Sequence, residues 1–107
     1  MSGLHMNLDE LYAKHGKLGT KEIILDVRNP DEFTEGHISG ALNIPLPELE
    51  SRVSELKDFE TVYIHCKRGG RAKSAFETLQ NLGLTNVVCV SDAGMDAWLE
   101  RGYPVKR

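Results

Sequence analysis

At 107 residues, 40% hydrophobic and 27% charged, the chain is long enough to bury one core and too short for two, so a single domain over residues 1–107 is expected. The formal net charge of −3 argues against nucleic acid or an anionic membrane surface as a general partner, and no apolar stretch approaches the ~20 residues a membrane-spanning helix needs. With no N-terminal run of signal-peptide type and only Cys66 and Cys89 as thiols, the expectation is a cytoplasmic protein with both cysteines reduced.

Residues 1–5 precede a second methionine, Met6, so residues 1–6 read as an added or disordered leader. From Asn7, Leu8, Leu11 and Tyr12 recur at helical spacing, Asn7 and Glu10 have the spacing of a capping box, and Gly16 ends the helix. Residues 22–28 form an almost continuous apolar run, which suits a parallel strand buried on both faces. Asn29, Pro30 and the acidic Asp31 and Glu32 then predict a turn into a short helix ending at Gly36, with Arg28 and Glu32 as a structural ion pair. A short strand over 41–44 follows, then a helix starting at Pro47 whose apolar face is Leu49, Val53 and Leu56.

Thr61 to His65 is a β-branched run that ends in Cys66-Lys67-Arg68-Gly69-Gly70-Arg71, and Ala72, Ala75, Phe76, Leu79 and Leu82 continue as one helix face closed by Gly83. Residues 86–90 form a second continuous apolar strand, which makes Cys89 a core residue. The last helix has Met95, Trp98 and Leu99 on its inner face and is closed by Gly102 and Pro104. Helices alternate with short apolar strands throughout, the pattern of an α/β domain with a parallel sheet covered on both faces.

In such sheets ligands bind beyond the carboxyl ends of the strands. Cys66 and Asp26 both fall at strand ends. Strand, tight loop with two glycines, then helix start is a context in which backbone N–H groups converge and the helix dipole favours negative charge. The loop should bind anions, and Cys66 at its centre should favour the reactive thiolate. Asp26 and His37 read in two ways, as acid–base groups or as polar residues that tie loops together, and the second is preferred. A zinc site from His65, Cys66 and His37 is set aside because their spacing matches no closed ligand set.

Three stretches now point the same way: Leu25-Asp26-Val27-Arg28 with Glu32-Phe33 and the run from Gly36 to Pro45; Cys66 through Arg71; and Gly94-Met95-Asp96-Ala97-Trp98 with Gly102-Tyr103-Pro104-Val105. Together they resemble the rhodanese family of single-domain sulfurtransferases. The resemblance implies a five-stranded parallel sheet flanked by helices on both faces. It also implies a catalytic Cys66, with Lys67, Arg68, Gly69, Gly70 and Arg71 cradling the substrate and Asp26 as a supporting residue. Ala93 departs from the family, which more often has glycine there, and this bears on the turn before the last helix.

Four residues separate Cys66 from Arg71. Rhodanese-like phosphatases and arsenate reductases, which the chain also resembles, place five there. The wider cradle suits a tetrahedral oxyanion, whereas a persulfide adds one sulfur atom, so the short loop favours sulfur chemistry. The expected activity is therefore transfer of sulfur from thiosulfate or another persulfide donor, through a Cys66 persulfide, to cyanide or a thioredoxin-type thiol, without metal or organic cofactor. The alternatives are the phosphatase or arsenate reductase chemistry of the longer loop, or a non-catalytic interaction or redox-sensing module.

Overall fold

The computed structural model describes residues 4–107. Its centre is the pair β1 (Glu22–Asp26) and β3 (Thr61–His65), parallel and in register from Glu22 opposite Thr61 to Asp26 opposite His65. β2 (Leu42–Asn43) pairs with β1 and β4 (Val87–Cys89) with β3, giving the all-parallel order β2-β1-β3-β4. Among the described residues the sheet thus has four strands, not the five expected. Beyond β4 there is a single bridge in place of a fifth strand. His5 lies opposite Cys89, Met6 N–H donates to the Cys89 carbonyl and Cys89 N–H to that of Leu4, both at 3.0 Å. The leader expected over residues 1–6 therefore divides: Leu4 to Met6 lie along the β4 edge, and residues 1–3 fall outside the described residues.

Strand alternation sends successive side chains to opposite faces. Leu25, Val62 and Ile64 join one core with Ala72, Ala75, Phe76 and Leu79 of α3 (Gly70–Asn81), while Ile24 and Tyr63 join the other with Leu8 and Leu11 of α1 (Leu8–His15) and Met95 and Trp98 of α4 (Met95–Glu100). Both faces are covered, which is why β1 and β3 read as continuous apolar runs. α1 begins as its sequence predicts: Asn7 Oδ1 accepts from Glu10 N–H at 2.8 Å and Glu10 Oε1 from Asn7 N–H at 3.0 Å. α3 ends in a Schellman motif, with Gly83 at φ +94°, Gly83 N–H on the Gln80 carbonyl and Leu84 N–H on that of Leu79.

Two elements differ from expectation. The segment after Pro45 winds as two 3₁₀ turns, Leu46–Glu48 and Glu50–Leu56, in place of an α-helix starting at Pro47. Pro47 has no N–H to give, and Glu48 and Leu49 close tighter bonds to the carbonyls of Pro45 and Leu46. The apolar face survives, since Leu49 and Leu56 are fully buried. In α4, Leu99 is 51% exposed and does not join Met95 and Trp98 inside. The indole of Trp98 fills the sheet side of this short helix and donates Nε1–H to the Pro104 carbonyl at 2.8 Å, which leaves Leu99 facing outward.

Candidate active site

Cys66 directly follows β3, and its side chain is 1% exposed. Gly69, at φ +115°, turns the loop back on itself so that Gly69 N–H points at Cys66 Sγ, 3.0 Å away. The first turn of α3 supplies a second donor, Ala72 N–H, at 3.3 Å. At a helix N-terminus the first N–H groups have no intrahelical partner, and here they converge on one sulfur atom. Two such donors favour negative charge on Sγ. Above it opens a cavity of about 330 Å³ lined by Cys66, Lys67, Arg68, Gly70 and Arg71.

The loop is clamped from behind by the start of α4. Met95 N–H donates to the Cys66 carbonyl at 2.9 Å and Asp96 N–H to that of Lys67 at 3.1 Å. The approach is so close that a Cβ built on Gly94 would lie 2.5 Å from both the carbonyl carbon and oxygen of Lys67. On the other side a Cβ on Gly69 would overlap the Ser91 carbonyl oxygen and sit 2.9 Å from its carbon. Gly94 and the Ser91 carbonyl thus shape the loop without touching the cavity, and the sequence reading assigned them no part in it. Their sequence signal is Gly94 itself, the glycine at the N-cap of α4 and the first residue of the third stretch that carries the family resemblance.

Charge at the rim is organised by two further residues the sequence reading missed. Arg71 donates to both oxygens of Glu32, in α2 (Pro30–Glu35), at 2.8 and 3.2 Å, and Arg68 Nε donates to Asp96 at 2.9 Å. The expected Arg28–Glu32 pair does not form. Arg28 is turned into the buried end of β1, where it bonds both oxygens of Asp26 and the Gly36 carbonyl. Arg28 lies in the bend just past β1, where its own N–H and its guanidinium both bond Asp26, while Glu32 lies one helical turn on, facing α3. The Arg71 hydrogen bonds hold the Glu32 carboxyl down at about 2, against an ordinary value of 4.5 and against the opposing effect of burial. A depressed acid of this kind stabilises the fold above about pH 4.5, and that contribution is lost as the pH falls toward 2.

Asp26 is fully buried, and its carboxylate oxygens bond Arg28 rather than Cys66. Replacing Asp26 with alanine strands a guanidinium whose side chain is 7% exposed, so a loss of about 3–5 kcal/mol in stability is expected from denaturant unfolding, with activity falling only as folded protein is lost. A fully stable Asp26→Ala protein would refute this structural role. His37 also ties structure together, with Nδ1 at 2.8 Å from the Phe33 carbonyl and its ring stacked on Phe33. His65, beside Asp26 at the end of β3, is fully buried, and burial pushes its imidazole toward the neutral form. Cys89 lies in the same core as Cys66, where burial raises its thiol pKa and keeps it protonated.

Residues 7–101 match the family described as Rhodanese-like domain. The chain belongs to that family. Relatives of this rhodanese-like chain include thiosulfate sulfurtransferase 16, chloroplastic, of Arabidopsis thaliana, 34% identical over 94 residues that cover 77% of this chain and 78% of that protein. Another is a sulfurtransferase of Allochromatium vinosum, 32% identical over 87 residues and 80% of each chain. Two Bacillus subtilis relatives are 42% and 40% identical, but the match spans only 53% and 40% of their own lengths. Among solved structures, a rhodanese-related protein from Thermoplasma volcanium superposes with a TM-score of 0.81 at 36% identity, covering 96% of this chain and 97% of that one. Among the described residues, no helix of this rhodanese-like domain is long and apolar enough to cross a membrane.

Proposed function

We propose that this rhodanese-like protein is a sulfurtransferase that carries a sulfane sulfur on Cys66. The observation that carries the reading is the convergence of Gly69 N–H and Ala72 N–H on Cys66 Sγ inside a short loop rimmed by Lys67, Arg68 and Arg71. The Cys66 thiolate attacks the outer sulfur of thiosulfate. A new S–S bond forms, the donor's S–S bond breaks, and sulfite leaves with the electron pair. The terminal sulfur of the persulfide then passes to a thiol, of thioredoxin type, or to cyanide, which regenerates the thiolate. Two displacements replace one direct transfer, and the loop N–H groups stabilise the anionic sulfur in both. Lys67, Arg68 and Arg71 attract the anionic donor, Gly69 at φ +115° lets the backbone close around the sulfur, and Gly70 lines the cavity over it.

The names of the relatives support this reading, as does the four-residue spacing between Cys66 and Arg71. The oxyanion alternative is disfavoured by that spacing, and phosphate-ester cleavage also needs a general acid for the leaving group. Among the residues lining the cavity none is a carboxylic acid or a histidine.

Incubation with thiosulfate is expected to add one sulfur atom to the intact mass, and cyanide should remove it. An unchanged mass, or ready hydrolysis of an aryl phosphate by the same preparation, would overturn the proposal. Insertion of one glycine between Gly69 and Gly70 should displace the N–H donors and lower sulfur transfer by roughly a hundredfold or more, since one misplaced donor costs about 2.7–4 kcal/mol. The same variant should bind phosphate or arsenate more tightly, measured by competition.

A further inference from the structure

We propose that Glu32 and Asp96 set the charge class of the sulfur donor by compensating two of the three cations on the active-site loop. The inference rests on the reading of that loop as a sulfur-transfer site. Composition alone presents Lys67, Arg68 and Arg71 as a triply positive rim. In the folded protein Arg71 is bound through two hydrogen bonds to Glu32 of α2, and Arg68 through one to Asp96 of α4. Among the described residues Lys67 alone of the three makes no ion pair, and it lines both the cavity over Cys66 and a neighbouring cavity of about 240 Å³. The side-chain charge around Sγ is therefore closer to one positive charge than to three.

Coulomb energy scales with the product of charges, so each uncompensated cation favours a dianion about twice as strongly as a monoanion. With two cations compensated, the loop discriminates little between dianionic thiosulfate and a monoanionic organic thiosulfonate. Both donors undergo the same displacement. Cys66 thiolate bonds the terminal sulfur, the donor's S–S bond breaks, and the electron pair departs with sulfite or with a sulfinate, so no oxidant or reductant is consumed.

The two carboxylates are not equivalent. The Arg71–Glu32 side chains are 33% and 23% exposed, whereas those of Arg68 and Asp96 are 79% and 41% exposed. Solvent screens the second pair far more, so Glu32 carries the larger share. Glu32 and Asp96 act through the arginines and are positioning residues. Glu32→Gln retains an oxygen to accept the Asn29 N–H that now bonds Glu32 Oε1, so the start of α2 is preserved.

The test measures Kd for thiosulfate and for benzenethiosulfonate in the Cys66→Ala background, which binds donors without consuming them. Adding Glu32→Gln is expected to tighten thiosulfate roughly fivefold and the thiosulfonate about twofold. Asp96→Asn should shift the ratio in the same direction by less, and added salt should shrink both shifts. Asp96 lies at the surface, so that variant reads the effect even where Glu32→Gln perturbs folding. A donor ratio unchanged in both variants, or equal tightening of the two donors, would overturn the proposal. Sulfur uptake is read separately from the intact mass of the protein with Cys66 in place. Absence of uptake from either donor sinks the sulfurtransferase reading, whereas the binding ratio still decides the charge effect.

Discussion

Cys66→Ser and Cys66→Ala are expected to lower thiosulfate:cyanide sulfur transfer by more than about a thousandfold, because no other thiol lines the cavity. Cys89→Ala should retain most of the activity. Its thiol lies in the core with its pKa raised by burial, and removing one buried sulfur atom costs about 1 kcal/mol through the small void it leaves. Steady-state rates together with thermal unfolding separate the two cysteines. A Cys89→Ala protein that is folded yet as inactive as Cys66→Ser would mean that both thiols take part in the chemistry.

Gly94→Ala carries the second large expectation, at a residue that touches no substrate. An added methyl group would lie 2.5 Å from the Lys67 carbonyl carbon and oxygen. Both contacts are backbone, so no flexible side chain can swing aside. Either α4 must retreat or the loop must shift, and in either case Met95 N–H loses its 2.9 Å bond to the Cys66 carbonyl. Overpacking of this kind costs roughly 1–3 kcal/mol in stability. A displacement of about 1 Å at the reacting sulfur can cost on the order of a hundredfold in rate. The expected result is a folded, somewhat destabilised protein with at least that loss in sulfur transfer. Gly16→Ala serves as control, since a Cβ there meets nothing within 4 Å. Wild-type rates in Gly94→Ala would show that the loop tolerates movement and that the clamp is not needed.

How much of this was legible in the sequence follows from how local each feature is. β3 and the two ends of α1 are recorded in consecutive residues, in a β-branched run, a capping box and a terminal glycine. They appear where the sequence places them. The loop around Cys66 was equally legible, because strand, glycines and helix start are contiguous. The ion pairs were not. Glu32 and Arg71 are 39 positions apart, and Arg68 and Asp96 are 28 apart, so their meeting depends on how α2 and α4 pack. Sequence proximity suggested Arg28 for Glu32, but the bend after β1 folds Arg28 back onto Asp26. The fifth strand came from the family resemblance alone, since the residue pattern marks four strands, and the segment at Leu4 to Met6 makes only one bridge to β4. Leu99 followed helical spacing yet faces outward, since a helix of six residues buries one narrow stripe and Trp98 takes it.

The clamp on the loop also orders events while the protein is being made. The carbonyls of Cys66 and Lys67 receive their hydrogen bonds from Met95 and Asp96, and Gly69 packs against the Ser91 backbone. A ribosome delivers the strand that ends at Cys66 well before it delivers residues 91–98. During that interval β1 and β3 have the residues they need to pair, but the sulfur's surroundings are unfinished. A nascent chain thus carries Cys66 without the backbone contacts that fix its loop, and a chain halted short of residue 95 lacks the bonds that Met95 and Asp96 supply. The completed loop is present only on molecules whose last helix has docked against it.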